Sequence, residues 1–260
     1  MTWLEKKRHQ RFVRARDAQL EYQENKADEL RGNEDQIFLN IFARAHGIRQ
    51  KLEEIKSIEA GATVLEVGSG AHGLIFAFGN EFGVGIDPLA VEYKRLFPKW
   101  QEEARTVAAI GEELPFADEF FDVVLSDNVI DHAEYPLKIV DELVRVLKPG
   151  GLLYFTVNIH HPIYEYVSKA HGAWHALGVP IEISPFVDHT NHFTEDDMKR
   201  VFARLPLKIF QQNSTVEETK AKYRQLKAQN NEQRLKKIFF KNALFELVAV
   251  KSPTATNNIA

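Results

Sequence analysis

VLEVGSGAHGLIFAFGNEFGVGID, Val64 to Asp87, is the stretch whose reading decides the fold. Val64, Leu65 and Val67 read as a short buried strand, and the glycines that follow allow a sharp turn into a helix. A second strand, Phe82 to Ile86, ends in Asp87. This predicts the first β-turn-α-β unit of a nucleotide-binding sheet. A glycine turn brings main-chain N–H groups and a helix N-terminus to a ligand, and a carboxylate closing the next strand can hold two ribose hydroxyls. The ligand read from this stretch contains an adenosine.

Gly68-Ser69-Gly70-Ala71-His72-Gly73 fits the dinucleotide spacing G-x-G-x-x-G, which does not say which adenosine ligand is bound. Glu66, two residues upstream, divides the alternatives. A carboxylate there suits the ammonium and sulfonium of S-adenosylmethionine and suits a pyrophosphate poorly.

Further along lie Leu114-Pro115-Phe116, Phe121-Asp122-Val123-Val124 and Leu147-Lys148-Pro149-Gly150-Gly151. Together with Glu66-x-Gly68-x-Gly70 and Asp87, in this order, they resemble the class I S-adenosylmethionine-dependent methyltransferases, in particular the type 11-like branch acting on small molecules. The resemblance covers about residues 62–157, with a looser echo to about Phe202. It implies an α/β fold: a Rossmann-like, seven-stranded, mostly parallel sheet with helices on both faces and an antiparallel last strand inserted beside the fifth. N-terminal helices are added to it here. It also implies that Glu66, Gly68, Ser69 and Gly70 hold the amino-acid end of the donor, with His72 and Pro88 beside them, and that Asp87 holds the ribose. Ile110, Gly111 and Glu112 would flank adenine, Ile110 standing where relatives usually have an acidic residue. Asp127 and Asn128 would line the sulfur side.

Composition narrows the chemistry. The 260 residues are 44% apolar, enough for one sizeable core, and include no cysteine, which excludes disulfides, thiolate metal sites and cysteine-based catalysis. The net charge of −4 gives no general attraction to nucleic acid. The strand end at Asp127 also lacks the Asn/Asp-Pro-Pro-aromatic signature of enzymes that methylate nucleic-acid amines. No apolar run approaches the length of a membrane helix and the N-terminus is charged, so the expectation is a cytoplasmic protein with a small-molecule acceptor and neither nucleic acid nor membrane as partner.

Three parts are expected. Residues 1–58 form a helical extension that covers the donor pocket or packs as core; it begins with a charged helix whose first sixteen residues hold six Lys or Arg. Its second helix carries Ile37, Phe38, Ile41, Phe42, Ala45, Ile48, Leu52 and Ile55 at three- and four-residue steps. Residues 59–252 form the methyltransferase-like domain, and the polar tail 253–260 is expected to be disordered. Within the domain, residues 215–241 read as a Lys-rich helical insertion that either caps the pocket or offers a homodimer face. Residues 158–193 read as a His-rich loop on the acceptor side, holding six of the ten histidines.

For those histidines three readings stand: general base, metal ligand, or ordinary loop residue. His171 and His175, and Asp188, His189 and His192, have spacings a metal would accept. The base candidates are His160, His161 and His192, with His132 as a further contact at the fourth strand's end. No metal is assigned. The function expected is methyl transfer to a small molecule at oxygen. A non-catalytic binding protein of the same fold is the alternative, and a nicotinamide-dependent oxidoreductase a more distant one.

Overall fold

The computed structural model describes residues 3–30, 34–79, 82–101, 105–164, 191–227 and 231–253. Two helices, α1 (Trp3–Leu30) and α2 (Glu34–Glu53), precede the sheet. The strands are β1 (Val64–Val67), β2 (Gly83–Ile86), β3 (Thr106–Val107), β4 (Phe121–Asp127), β5 (Leu147–Ile159), β6 (Leu207–Ser214) and β7 (Ala243–Lys251). They lie in the order β3-β2-β1-β4-β5-β7-β6. β7 runs antiparallel to both β5 and β6, while the β1, β2, β3, β4 and β5 pairings are parallel. This is the expected fold class, with the last strand inserted beside the fifth.

Alternation along the strands divides the core in two, because successive side chains leave a strand on opposite faces. Leu65, Val124, Leu153, Phe155 and Leu247 pack on α4 (Pro136–Val146) and α5 (Glu195–Phe202), through Ile139, Leu143, Met198 and Phe202. Val64, Val123, Leu125, Tyr154 and Val248 pack on α2 through Ala45, Ile48 and Leu52. Glu66 shares that second face. A third cluster joins Ala27 of α1 to Leu89, Tyr93 and Phe97 around α3 (Ala90–Leu96).

Two expectations are corrected. The glycine turn does not lead into a helix: only a 3-10 turn, Leu74–Phe76, follows β1. The main-chain N–H groups of Leu74 and Ile75 are taken by the Glu66 carboxylate, at 3.1 and 2.9 Å, so they tie the segment to the strand. Gly73 and Gly79, the latter with φ 86°, bracket it. The 215–241 insertion is two helices, α6 (Val216–Gln225) and α7 (Asn231–Ile238), because the backbone turns extended at Leu226. β3 is short, formed only at Thr106–Val107. Thr194 caps α5: its hydroxyl and the Asp197 carboxylate exchange hydrogen bonds with each other's backbone N–H. His171, His175, Asp188 and His189 lie outside the described residues.

Candidate active site

Above the C-terminal ends of β1, β2 and β4, and beside the segment after β3, lies a cavity of about 380 Å³. This is where open α/β sheets place their ligands. Of the residues read as donor contacts, Gly68, Gly70, Asp87, Pro88, Ile110, Gly111, Glu112 and Asn128 line it. Glu66, Ser69, His72 and Asp127 stand behind the lining.

Each of those four has its own task or setting. Glu66 is 2% exposed and holds the Leu74 and Ile75 amides. Burial pushes its pKa up to about 8, against the pull of those two N–H donors. Ser69 is buried and faces the missing Cβ of Gly85, where an added Cβ would stand 2.7 Å from Ser69 Cβ. His72 packs edge-on against Phe97 and Trp100, with ring centres 4.6 and 5.0 Å away, and burial lowers its pKa to about 4, leaving it neutral. Asp127 accepts both Nε and Nη2 of Arg44, at 2.7 and 2.6 Å, and the Thr156 hydroxyl at 2.6 Å. That bidentate pair spans 83 positions in the chain, and no local pattern announces it.

Asp87 sits as the strand end predicts. Its two carboxylate oxygens accept the Gly70 and Leu89 N–H groups at 3.0 and 2.8 Å, which fixes the side chain's direction. Desolvation raises its pKa above the usual carboxylate range. Gly68 has φ 74°, and a Cβ there would lie 2.4 Å from Val129 Cγ2, so only glycine lets this turn pass. Asn128 also has positive φ, 61°, and its side-chain oxygen accepts the Asn158 N–H at 3.0 Å. Glu112 uses its carboxylate to accept the Glu134 and Tyr135 N–H groups just before α4.

α1 contributes three lining residues that belong to no motif in the sequence: Phe12, Arg16 and Gln19. Their spacing of four and three puts them on one helical face, which is the signal that was available. Val129 and Tyr93 also contribute.

Of the base candidates, His132 lines the cavity, its Nε2 3.7 Å from Asp131 Oδ2. His160 is buried and accepts the Asn242 N–H through Nδ1. It packs against His192 with ring centres 5.0 Å apart, and His192 stacks on Tyr164. His161 lies between Phe239 and Phe240, and burial lowers its pKa. The structure thus brings His160 and His192 together, but neither lines the donor cavity. Among the described residues no group of His, Asp and Glu is arranged to hold a metal ion.

Residues 65–155 match the methyltransferase domain family. The matched stretch runs from β1 into β5 and takes in the glycine turn and Asp87. An uncharacterized methyltransferase of Mycolicibacterium vanbaalenii is 41% identical over 98 residues, covering 36% of this chain and 38% of that one. One from Mycobacterium leprae is 33% identical over 141 residues, covering 53% and 51%. The chain therefore spans about half, or less, of the length of these curated relatives. Solved structures similar in fold include the YcgJ protein of Bacillus subtilis, at 18% identity and TM-score 0.55, covering 81% of this chain and 98% of that one. Geranyl diphosphate C-methyltransferase from Streptomyces coelicolor, solved with Mg²⁺, geranyl diphosphate and S-adenosyl-L-homocysteine, shares 13% identity at TM-score 0.55, covering 79% and 77%. The [4+2]-cyclase SpnF shares the fold too, at 15% identity and TM-score 0.52, covering 80% of each chain, so fold alone does not fix the reaction. Among the described residues no helix is long and apolar enough to cross a membrane.

Proposed function

We propose that this chain transfers a methyl group from S-adenosylmethionine to a small-molecule acceptor, at oxygen. One observation carries the choice of donor. Gly68 and Ser69 donate their N–H groups to the Ile86 carbonyl, Gly70 donates to Asp87, and Leu74 and Ile75 donate to Glu66. A pyrophosphate would need such amides turned toward it, at the start of a proper helix. Here five of them are spent inside the protein and the helix is absent, which favours a donor without phosphate.

When bound, S-adenosylmethionine supplies an electrophilic methyl on its sulfonium. The residues present fit it. Each Asp87 oxygen, already holding one main-chain N–H, keeps acceptor capacity for a ribose hydroxyl. Ala109, Ile110, Gly111 and Ile139 make an apolar slot for adenine; a Cβ at Gly111 would intrude to 2.9 Å from Ile139 Cδ1. Catalysis then rests on aligning two ligands in a site closed to water. Phe12, Arg16 and Gln19 of α1 form part of the cavity wall, which supports a lid role for the N-terminal extension and a small acceptor in place of a polymer. His132, 45% exposed at its side chain, is the lining residue suited to take the proton of a hydroxyl acceptor.

The test is incubation with S-adenosylmethionine labelled at the methyl group and a small-molecule cell extract. Label entering the small-molecule fraction, and lost with His132→Ala for hydroxyl acceptors, supports the proposal. Label entering protein or RNA, or no consumption of the donor, refutes it.

A further inference from the structure

A second cavity, also of about 380 Å³, lies between α2 and strands β5, β6 and β7; Arg44, Gly47, Lys51, Tyr154, Asn213 and Leu244 are part of its lining. A row of polar residues crosses the sheet beneath it in register: Asp127 pairs with Thr156, Thr156 with Glu246, and Glu246 with Asn213. α2 answers this row with two cations. Arg44 binds Asp127 through two nitrogens, and Lys51 Nζ lies 2.5 Å from Glu246 Oε1, which also accepts the Tyr154 hydroxyl at 2.9 Å.

The two members of each pair are unequally exposed. The Asp127 and Glu246 side chains are 15% and 14% exposed, whereas those of Arg44 and Lys51 are 45% and 41% exposed. The carboxylates form the floor and the cations stand over it, so an incoming ligand meets positive charge first. Lys51 keeps two further N–H donors, and the exposed Asn213 lies across from Glu246 on the neighbouring strand. A Cβ at Gly47, one helical turn before Lys51, would meet nothing within 4 Å, which leaves room for a ligand body.

Arg44 occupies the other end. Asp127 and Glu246 lie two strands apart, roughly 10 Å. Asp127 is followed directly by Asn128, which lines the donor cavity, so the Arg44–Asp127 pair links the two cavities. A ligand seated with an anion at Lys51 would point its far end toward the donor.

We propose that the second cavity binds the acceptor, and that the acceptor is an elongated small molecule carrying a carboxylate held by Lys51 and Asn213. The word acceptor rests on the methyltransferase reading above; the anion site rests on the geometry of α2 and the sheet.

The experiment is amide NMR of the full chain, titrated with benzoate, benzamide and S-adenosylhomocysteine. Benzoate should move the Asn213, Ser214, Thr215 and Leu244 signals and bind at least about tenfold more tightly than benzamide. Lys51→Met should abolish that preference and Lys51→Arg should keep it. Because Lys51→Met leaves Glu246 without its cation, the double variant Lys51→Met/Glu246→Gln, which removes both charges, is measured beside it and should lose the preference equally. Equal binding of benzoate and benzamide, or a preference that survives both Lys51→Met variants, overturns the proposal. So does displacement of benzoate by S-adenosylhomocysteine, which would assign the anion site to the donor's own carboxylate. S-adenosylhomocysteine binding without benzoate binding removes the anion site and leaves the methyltransferase reading standing. Benzoate binding without S-adenosylhomocysteine removes that reading, and the acceptor role with it.

Discussion

Replacing Glu66 by glutamine should change the protein's stability in opposite directions at low and high pH. In the fold Glu66 holds its proton up to about pH 8, because burial outweighs the two N–H bonds it accepts and the charges of Asp127 and Asp87 push the same way. The unfolded chain releases that proton near pH 4.5, the ordinary value. Between these two values the folded state binds the extra proton, so stability is fullest below the lower value and falls as pH rises. The slope is about 1.4 kcal/mol per pH unit and the loss, complete above the folded pKa, is on the order of 5 kcal/mol. Glutamine does not titrate, but its NH2 group can only donate where the hydroxyl oxygen of the protonated carboxyl still accepts an N–H, so either Leu74 or Ile75 loses its acceptor at a cost of about 1–2 kcal/mol. Glu66→Gln should therefore be the less stable protein at pH 5 and the more stable at pH 8. Urea unfolding of both proteins at pH 5, 6, 7 and 8 measures this. A difference that stays constant across the series would show that Glu66 titrates as an ordinary carboxylate and that the N–H donors win over burial.

Asp87→Ala removes the proposed ribose ligand and strands the Gly70 and Leu89 N–H groups; calorimetry should show S-adenosylmethionine affinity down by at least about tenfold, or about 1.4 kcal/mol. Gly68→Ala places a methyl in Val129 at a left-handed backbone position, and urea unfolding should show a loss of about 2–3 kcal/mol. Phe12→Ala opens the α1 side of the donor cavity, so stopped-flow should show S-adenosylhomocysteine leaving about tenfold faster with its association rate little changed. Thr194→Ala breaks the capping box of α5 and should cost about 1 kcal/mol in the same urea assay.

The elements visible in the sequence were those with a local cause. Buried strands such as Val64–Val67, the Asp87 strand end and the Thr194–Asp197 cap each announce themselves within a few residues, and the order of the sheet came from the resemblance to a family. What sequence could not supply was side-chain direction. The position of Glu66 in the motif points to a donor contact, but β-strand alternation turns it to the α2 face, where it captures Leu74 and Ile75 and replaces the expected helix with a 3-10 turn. His72 has the position of a ligand contact in the glycine motif, yet packs between Phe97 and Trp100. Arg44 carries no local signal because its partner Asp127 is remote in sequence, and Phe12, Arg16 and Gln19 carry little because a charged helix offers little contrast between its faces. The Asp87 and Asn128 positions were legible for the opposite reason: both are strand ends, where the fold itself sets the direction.

The most direct measurement of the central claim is calorimetric titration of the intact protein with S-adenosylhomocysteine and, separately, with NADH. The account predicts one molecule of S-adenosylhomocysteine bound per chain and no heat from NADH, since the amides of the glycine turn are already spent on Ile86, Asp87 and Glu66. Binding of NADH with none of S-adenosylhomocysteine would contradict it.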